Sequence, residues 1–307
     1  MAGTVMHLVI ADRLMETFGI GNPGYFYCGN LAPDAIMERE GYTREMKRHT
    51  HFKDDIRLSE FRKPEKQMLY RKRLDEFVQN FLKKRTKQYE IYFGYLTHIL
   101  VDELYILYFR DDFVDRLEAE GKSPNDEAFF RLFTHDVDLV DWELVRTYTF
   151  RYPMPEVLHL PEDYEIPGYI TAKEIQDSKQ FIIHKNFEEN HPEEALKVMT
   201  LEKNQEFVEL CVREIPRLMK ERYGLEYSGH RCPCCGFYTL SEMGAYEICP
   251  VCYWEDDPVQ ENDPSLSGGA NECSLLEGRE NFRKYGACEE RFVRSVRAPL
   301  PEEAEYE

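Results

Sequence analysis

The placement of cysteine constrains this chain more than any other feature. Of nine cysteines in 307 residues, seven fall between Cys232 and Cys288, and only Cys28 and Cys211 lie elsewhere. Within the cluster, Cys232-Pro-Cys-Cys235 and Cys249-Pro-Val-Cys252 form two C-x-x-C pairs a hairpin's length apart. Each such turn aims two thiolates at one point, and the strands between them bring the turns together, as a tetrahedral four-cysteine zinc site requires. The competing readings are buried thiols or a redox C-x-x-C beside a βαβ unit. Paired knuckles rarely arise by accident, so the spacing predicts a structural zinc on Cys232, Cys235, Cys249 and Cys252. Cys234, Cys273 and Cys288 are left over, and any of them can be a small buried residue. An odd total fits a disulfide framework poorly. Met1 to Leu14 lacks a basic n-region, and its apolar run is broken by His7 and Asp12. A reducing, cytoplasmic setting is therefore expected.

The remainder reads as mainly α. Val5 to Phe18 is apolar at helical spacing, and Gly19 to Gly29 reads as a loop. Pro33 and Asp34 open a short helix, and Pro64 starts a long amphipathic one running to about Arg85. Tyr89 to Phe109 is apolar on most of its circumference, which predicts a buried central helix. Asp136 to Phe150, Thr171 to Phe187 and Pro192 to Tyr223 are also expected to be helical. Arg151 to Pro167, with four prolines, reads as an irregular arm. At Tyr227 short aromatic and β-branched stretches replace the helical pattern. The expected organisation is a helical metal-binding domain over 1–226, a small zinc-ribbon-like α+β domain over 227–290, and an acidic tail over 291–307, disordered from Pro299.

Charge narrows the partners. Lys and Arg number 39 against 58 Asp and Glu, a net of −19. Leu225 to Glu307 holds 17 acids and 7 bases, a net of −10. That acidity disfavours general nucleic-acid binding and allows a basic protein partner for the C-terminal region. No apolar run is long and uncharged enough to span a membrane, so an integral membrane protein is not expected.

The C-terminal segment resembles the bacterial cysteine-rich CPCC domain. The residues that carry the resemblance are Cys232-Pro-Cys-Cys-Gly236, Tyr246-Glu-Ile-Cys-Pro-Val-Cys252, Trp254-Glu-Asp-Asp257, Gly268-Gly-Ala-Asn271 and Asn281-Phe-Arg-Lys-Tyr-Gly286, over roughly Arg231 to Cys288. The resemblance implies a small zinc-ribbon-like module and no established reaction.

A second constellation lies earlier. His98 and Asp102 are four apart on the expected central helix, so they share one face. An unpaired carboxylate buried there would cost several kcal/mol or be forced neutral. It needs a partner, either a metal or the histidine itself through a hydrogen bond. His7, Asn30-Leu-Ala-Pro-Asp34, His51-Phe52 and Gly94-Tyr95 with His98 and Asp102 resemble, in order, the zinc-dependent phospholipase C family, relatives of the S1/P1-type nucleases. The resemblance covers roughly Gly3 to Phe150. It implies one zinc on Asp34, His51 and His98 and a second on His7, with Asp102 bridging and one or two ions in all. It further implies a zinc-activated water attacking phosphorus, with Asp34 orienting or deprotonating that water. The implied substrate is a small phosphodiester or a phospholipid. The chain departs from the family where Tyr108 stands in place of a further histidine, and the late H-x-x-x-E spacing falls far downstream, at His184 and Glu188. Six residues precede His7, where secreted members offer an N-terminal amine.

Other features are blander. Lys47-Arg48 and Lys83-Lys-Arg85 read as solvated helix faces, although both could help hold an anionic substrate near the metal site. Cys28 has no base at a defined spacing and makes no convincing nucleophile. Asp136 reads as a helix cap. The expectation is a metal-dependent phosphodiester hydrolase. The alternative is a non-enzymatic zinc-binding regulatory or protein-interaction protein with a degenerate metal site.

Overall fold

A computed structural model describes the chain except residues 1, 84–87, 120, 124–126, 160, 162–163, 192, 226–229, 300–302 and 304–307. The chain divides into two compact units. The first comprises Met1–Met15, Asn22–Lys83 and Gln88–Leu225, and the second Glu16–Gly21, Lys84–Lys87 and Glu226–Glu307. The boundary expected at Glu226 and most of the tail beyond Pro299 lie outside the described residues.

Helices α1 (Thr4–Phe18), α2 (Pro23–Leu31), α3 (Arg44–Thr50), α4 (Pro64–Phe81), α5 (Tyr89–Leu104), α6 (Arg110–Ala119), α7 (Glu127–Thr147), α8 (Met154–His159), α9 (Ala172–Ile182) and α10 (Leu201–Tyr223) make the helical part. A 3-10 helix, Ala32–Glu38, follows α2 directly, and π-helical turns, Tyr105–Phe109 and Ile183–Glu188, extend α5 and α9. Every residue of α5 is buried, as expected of a helix with no polar stripe. Among the described residues no helix is long and apolar enough to cross a membrane.

Several expectations needed correction. The glycine-rich stretch 19–29 is not a loop throughout, because Pro23 opens α2. Its glycines serve close packing. A Cβ on Gly29 would lie 2.1 Å from the Ile91 carbonyl oxygen, and one on Gly94 would lie 2.3 Å from that of Phe26. The backbones of α2 and α5 therefore touch, which only glycine permits. Asp136 does not start a helix, since α7 begins at Glu127. Its buried carboxylate instead accepts the backbone amides of Lys197, Val198 and Met199 at 2.7–3.0 Å. This clamps an extended approach to α10, which starts at Leu201 rather than Pro192. The arm 151–167 contains the short helix α8.

The second unit carries a two-stranded antiparallel sheet, β1 (His230–Arg231) and β2 (Tyr238–Leu240), followed by α11 (Pro258–Asn262) and α12 (Leu275–Tyr285). Ser274 and Glu277 close a capping box at the start of α12, and Gly286 ends it in the left-handed conformation, the favoured chemistry for both ends. Its core is the cysteines with Leu240, Val251, Trp254 and Leu275. Residues 291–299 do not trail free: Arg297 N donates to Pro250 O at 3.0 Å, and the Arg297 guanidinium pairs with Glu303.

Candidate metal centres

In the helical unit the structure brings His7, Asp34, His51, His98 and Asp102 into one cluster. Two sets could hold a metal ion: His7, His98 and Asp102, and Asp34, His51 and His98. Within each set the ligand atoms lie within 4.8 Å of one another. Each residue arrives by a different local device. His7 sits in the first turn of α1, and Asp34 rides the 3-10 helix behind α2. His98 and Asp102 stand one turn apart on α5. His51 caps the end of α3, where Phe52 takes the left-handed conformation (φ 58). Lys53 N then reaches back to Arg48 O at 2.7 Å. That helix stop normally uses glycine. Here the cost of about 1–2 kcal/mol is offset by burial of the Phe52 ring against Phe77 and Tyr95.

The backbone assigns the imidazole tautomers. His98 Nδ1 donates to Asn30 O at 2.7 Å, and His51 Nδ1 donates to Lys47 O at 2.8 Å. Both Nε2 atoms are therefore left as lone pairs, and they face each other 3.3 Å apart. His51 Nε2 also faces Asp34 Oδ1 at 3.1 Å and Asp102 Oδ2 at 3.6 Å. Asp102 Oδ1 lies 3.8 Å from His7 Nε2, and the His7 ring stacks on His98 with centroids 3.8 Å apart. Neither nitrogen of His7 and neither carboxylate oxygen of Asp102 makes a hydrogen bond, although all four are buried. Orphaned buried polar atoms are rare, and each calls for a ligand or a cost. The two carboxylate oxygens and one nitrogen of the neutral His7 ring are acceptors that converge, so a bound cation would satisfy them. An outer shell of carbonyls orienting neutral imidazoles is the arrangement that divalent metals use.

Protonation agrees with that reading. Burial pushes His7 down to about 4, against the opposing pull of Asp102. Burial, and then the neighbouring His7, holds His98 well below the usual imidazole range. Burial also lowers His51, opposed by its contact with Asp34. Burial alone would raise both carboxyls. Lys47 and His51 nevertheless hold Asp34 well below its ordinary value, and Lys53 does the same, most strongly, for Asp102.

The other candidates fall outside this cluster. His184 is 68 % exposed and pairs with Glu189 at 3.0 Å. Tyr108 is exposed. Cys28 is buried, and burial pushes its thiol up to about 11, which suits packing rather than attack. The residues that sequence reasoning missed are Asn30, whose carbonyl orients His98, and Lys53. Only the proximity of Lys53 to His51 in the chain hints at its place.

In the cysteine-rich unit, Cys232, Cys235, Cys249 and Cys252 bring their sulfurs within 4.8 Å of one another, so they could hold a metal ion. Cys232 Sγ lies 3.4 Å from Cys252 Sγ, and Cys235 Sγ lies 3.6 Å from Cys249 Sγ. The two knuckles repeat one backbone design. Gly236 N bonds Cys232 O and Tyr253 N bonds Cys249 O, each at 2.8 Å. Gly236 and Tyr253 both take the left-handed conformation.

Residues 230–303 match the family model described as Cysteine-rich CPCC. The C-terminal segment is thus of that cysteine-rich type, and the match runs further than the resemblance traced from its motifs. No curated protein and no solved structure matches the chain.

Proposed function

We propose that the helical unit is a metal-dependent phosphodiester hydrolase resembling zinc-dependent phospholipase C, and that the cysteine-rich unit carries a structural zinc. The observation that supports the hydrolase reading is the convergence of ligand atoms from His7, Asp34, His51, His98 and Asp102, with the Nε2 atoms of His51 and His98 both left as lone pairs. Bound zinc supplies Lewis acidity, which lowers the pKa of water and neutralises charge on phosphoryl oxygens. Asp34, His51 and His98 would hold one ion and His7 another, with the two oxygens of Asp102 turned one towards each histidine. The carbonyls of Asn30 and Lys47 keep both rings aimed. Asp34 retains 16 % side-chain exposure, so it is the carboxylate placed to orient a water or take its proton. Four cysteine ligands would complete a zinc shell with no open position, which suits a structural ion.

The test is metal content together with hydrolysis of bis(p-nitrophenyl) phosphate. We expect more than one zinc per chain in the wild type, and a His98→Ala variant that keeps the cysteine-bound zinc and loses hydrolysis. A wild type holding one zinc, with His98→Ala equally active, refutes the reading.

One observation favours a second reading, a non-enzymatic regulatory protein whose histidine site is degenerate. Lys47 and Lys53 already balance Asp34 and Asp102. In that case the acidic C-terminal region presents a surface to a basic protein. A complex recovered by pull-down, lost on Cys249→Ser and kept in His98→Ala, supports it.

A further inference from the structure

Two ammonium groups sit inside the histidine cluster. Lys47 Nζ lies 2.8 Å from Asp34 Oδ1, and Lys53 Nζ lies 3.5 Å from Asp102 Oδ2. The Lys53 ammonium also lies 5.7 Å from the centre of the Phe61 ring. Neither is an ordinary solvated lysine, because the side chains are only 16 % and 11 % exposed.

The charge of the cluster without an ion is simple. Three neutral imidazoles, two carboxylates and two ammoniums sum to zero. A divalent ion on the carboxylates adds two positive charges and takes the partners of both lysines. The ammoniums then face a cation across a few ångströms of buried space, where charge is costly unless it is paired. One ion therefore demands two negative charges, and a second ion in the His7 set raises that demand. Burial shows which side the anion enters. His7, His51, His98 and Asp102 are at most 2 % exposed, whereas the side chains of Asp34, Lys47 and Lys53 are each above 10 %. The lysines thus border the open side of the cluster.

We propose that Lys47 and Lys53 are the phosphate ligands of this site, and that the metal-loaded cluster takes a terminal phosphate dianion whose oxygens accept from both ammoniums. The inference rests on the metal-centre reading above. A dianion balances the site when one ion is bound and comes nearer to balance than a singly charged diester when two are. The same dianion arises as the product of diester cleavage or as a free monoester, and both present one terminal phosphate. Metal and phosphate consequently bind cooperatively, each tightening the other by the same factor.

The test is a chelator-buffered zinc titration of the full chain, with and without inorganic phosphate, for wild type, Lys53→Met and Lys47→Met. Phenyl phosphate and diphenyl phosphate serve as monoester and diester probes. Phosphate and phenyl phosphate are expected to tighten zinc in the histidine site by about tenfold in the wild type, and diphenyl phosphate by much less. In Lys53→Met, zinc binds more tightly than in wild type when phosphate is absent, because it displaces no ammonium, and the phosphate effect falls below about twofold. Lys47→Met, at the more exposed position, provides the same readout if Lys53→Met does not fold. Zinc binding in the wild type that is indifferent to phosphate overturns the inference and leaves the metal centre standing, as does coupling that survives both substitutions. A wild type that binds only the cysteine-held zinc overturns both. Hydrolysis of p-nitrophenyl phosphate beside that of its bis ester then separates the two origins: monoester turnover marks a substrate, and inhibition of diester turnover marks a product.

Discussion

Gly94→Ala should be far more damaging than a glycine-to-alanine change inside a helix usually is. By intrinsic propensity the substitution stabilises a helix interior by about 1 kcal/mol. In α5, however, the new Cβ would stand 2.3 Å from Phe26 O and 3.0 Å from Asn30 N. Moving the first contact out to 3.0 Å separates α2 from α5 by at least 0.7 Å, and both obstacles are backbone, so no rotamer relieves them. Overpacking of this kind costs roughly 1–3 kcal/mol and sometimes more. With no side chain free to yield, the upper part of that range should outweigh the propensity gain. A net loss of about 2 kcal/mol lowers Tm by roughly 4–8 °C in a unit of this size. A second effect reaches the site. His98 lies one turn beyond Gly94, and its Nδ1 donates to Asn30 O on α2 at 2.7 Å. The same separation stretches that bond to about 3.4 Å, beyond useful hydrogen-bond range. Loss of such an outer-shell partner typically weakens metal binding by about 10–100-fold. Calorimetric melting in the presence of chelator isolates the packing term, and chelator competition reads the metal term. A variant that melts at or above the wild-type temperature and binds zinc normally would falsify the close crossing of α2 and α5 and the role given to Asn30.

Two further outcomes are expected. Cys249→Ser, or stripping of the metal by a strong chelator, should unfold the cysteine-rich unit, because structural zinc supplies on the order of 10 kcal/mol of folding energy. Trp254, fully buried in that unit, should shift its emission to longer wavelength while the far-ultraviolet helix signal of the other unit persists; unchanged tryptophan emission after metal loss refutes the dependence. Asp136→Asn should cost about 2–3 kcal/mol at pH 6, since a charged acceptor of three amides is weakened. Burial opposes ionisation of Asp136, but the amides of Met199, Lys197 and Val198 outweigh it and lower its pKa. Its contribution is therefore complete above the unfolded value near 4 and vanishes as pH falls through the lower folded value. The gap between the melting curves of the two proteins should start to close as pH falls below about 4, and a gap that stays constant to the lowest pH at which both fold sinks the argument.

The outline of this protein was readable where one physical demand dominated. The mostly apolar circumference of 89–109 pointed to a buried helix, and the four-residue step from His98 to Asp102 put both on one face. The C-x-x-C pairs named four residues that the backbone does bring together. What escaped the sequence depended on contacts distant in the chain. Gly24 and Gly29 look like loop punctuation until Ile91 is seen to press on Gly29. Asp136 looks like a cap for its own helix, yet it serves amides some sixty residues later. The end of α3 carries no glycine, because a buried phenylalanine ring tolerates the left-handed turn. Lys53 gave no signal beyond its nearness to His51, for a lysine placed inward or outward reads the same in a list of residues.

The complete burial of α5 also bears on how such a chain can change over generations. A helix with a solvent face has positions where substitution is silent, and this one has none. Any change along 89–104 is tested for folding before it is tested for chemistry. Selection for a folded protein alone would therefore hold the frame around His98 and Asp102, even in a descendant that no longer used it. Lys47, Lys53 and Asp34, with side chains 11–16 % exposed, are held less tightly by packing under the same regime. Their joint persistence or loss among descendants would report on retained chemistry, whereas the persistence of α5 would report only on the fold.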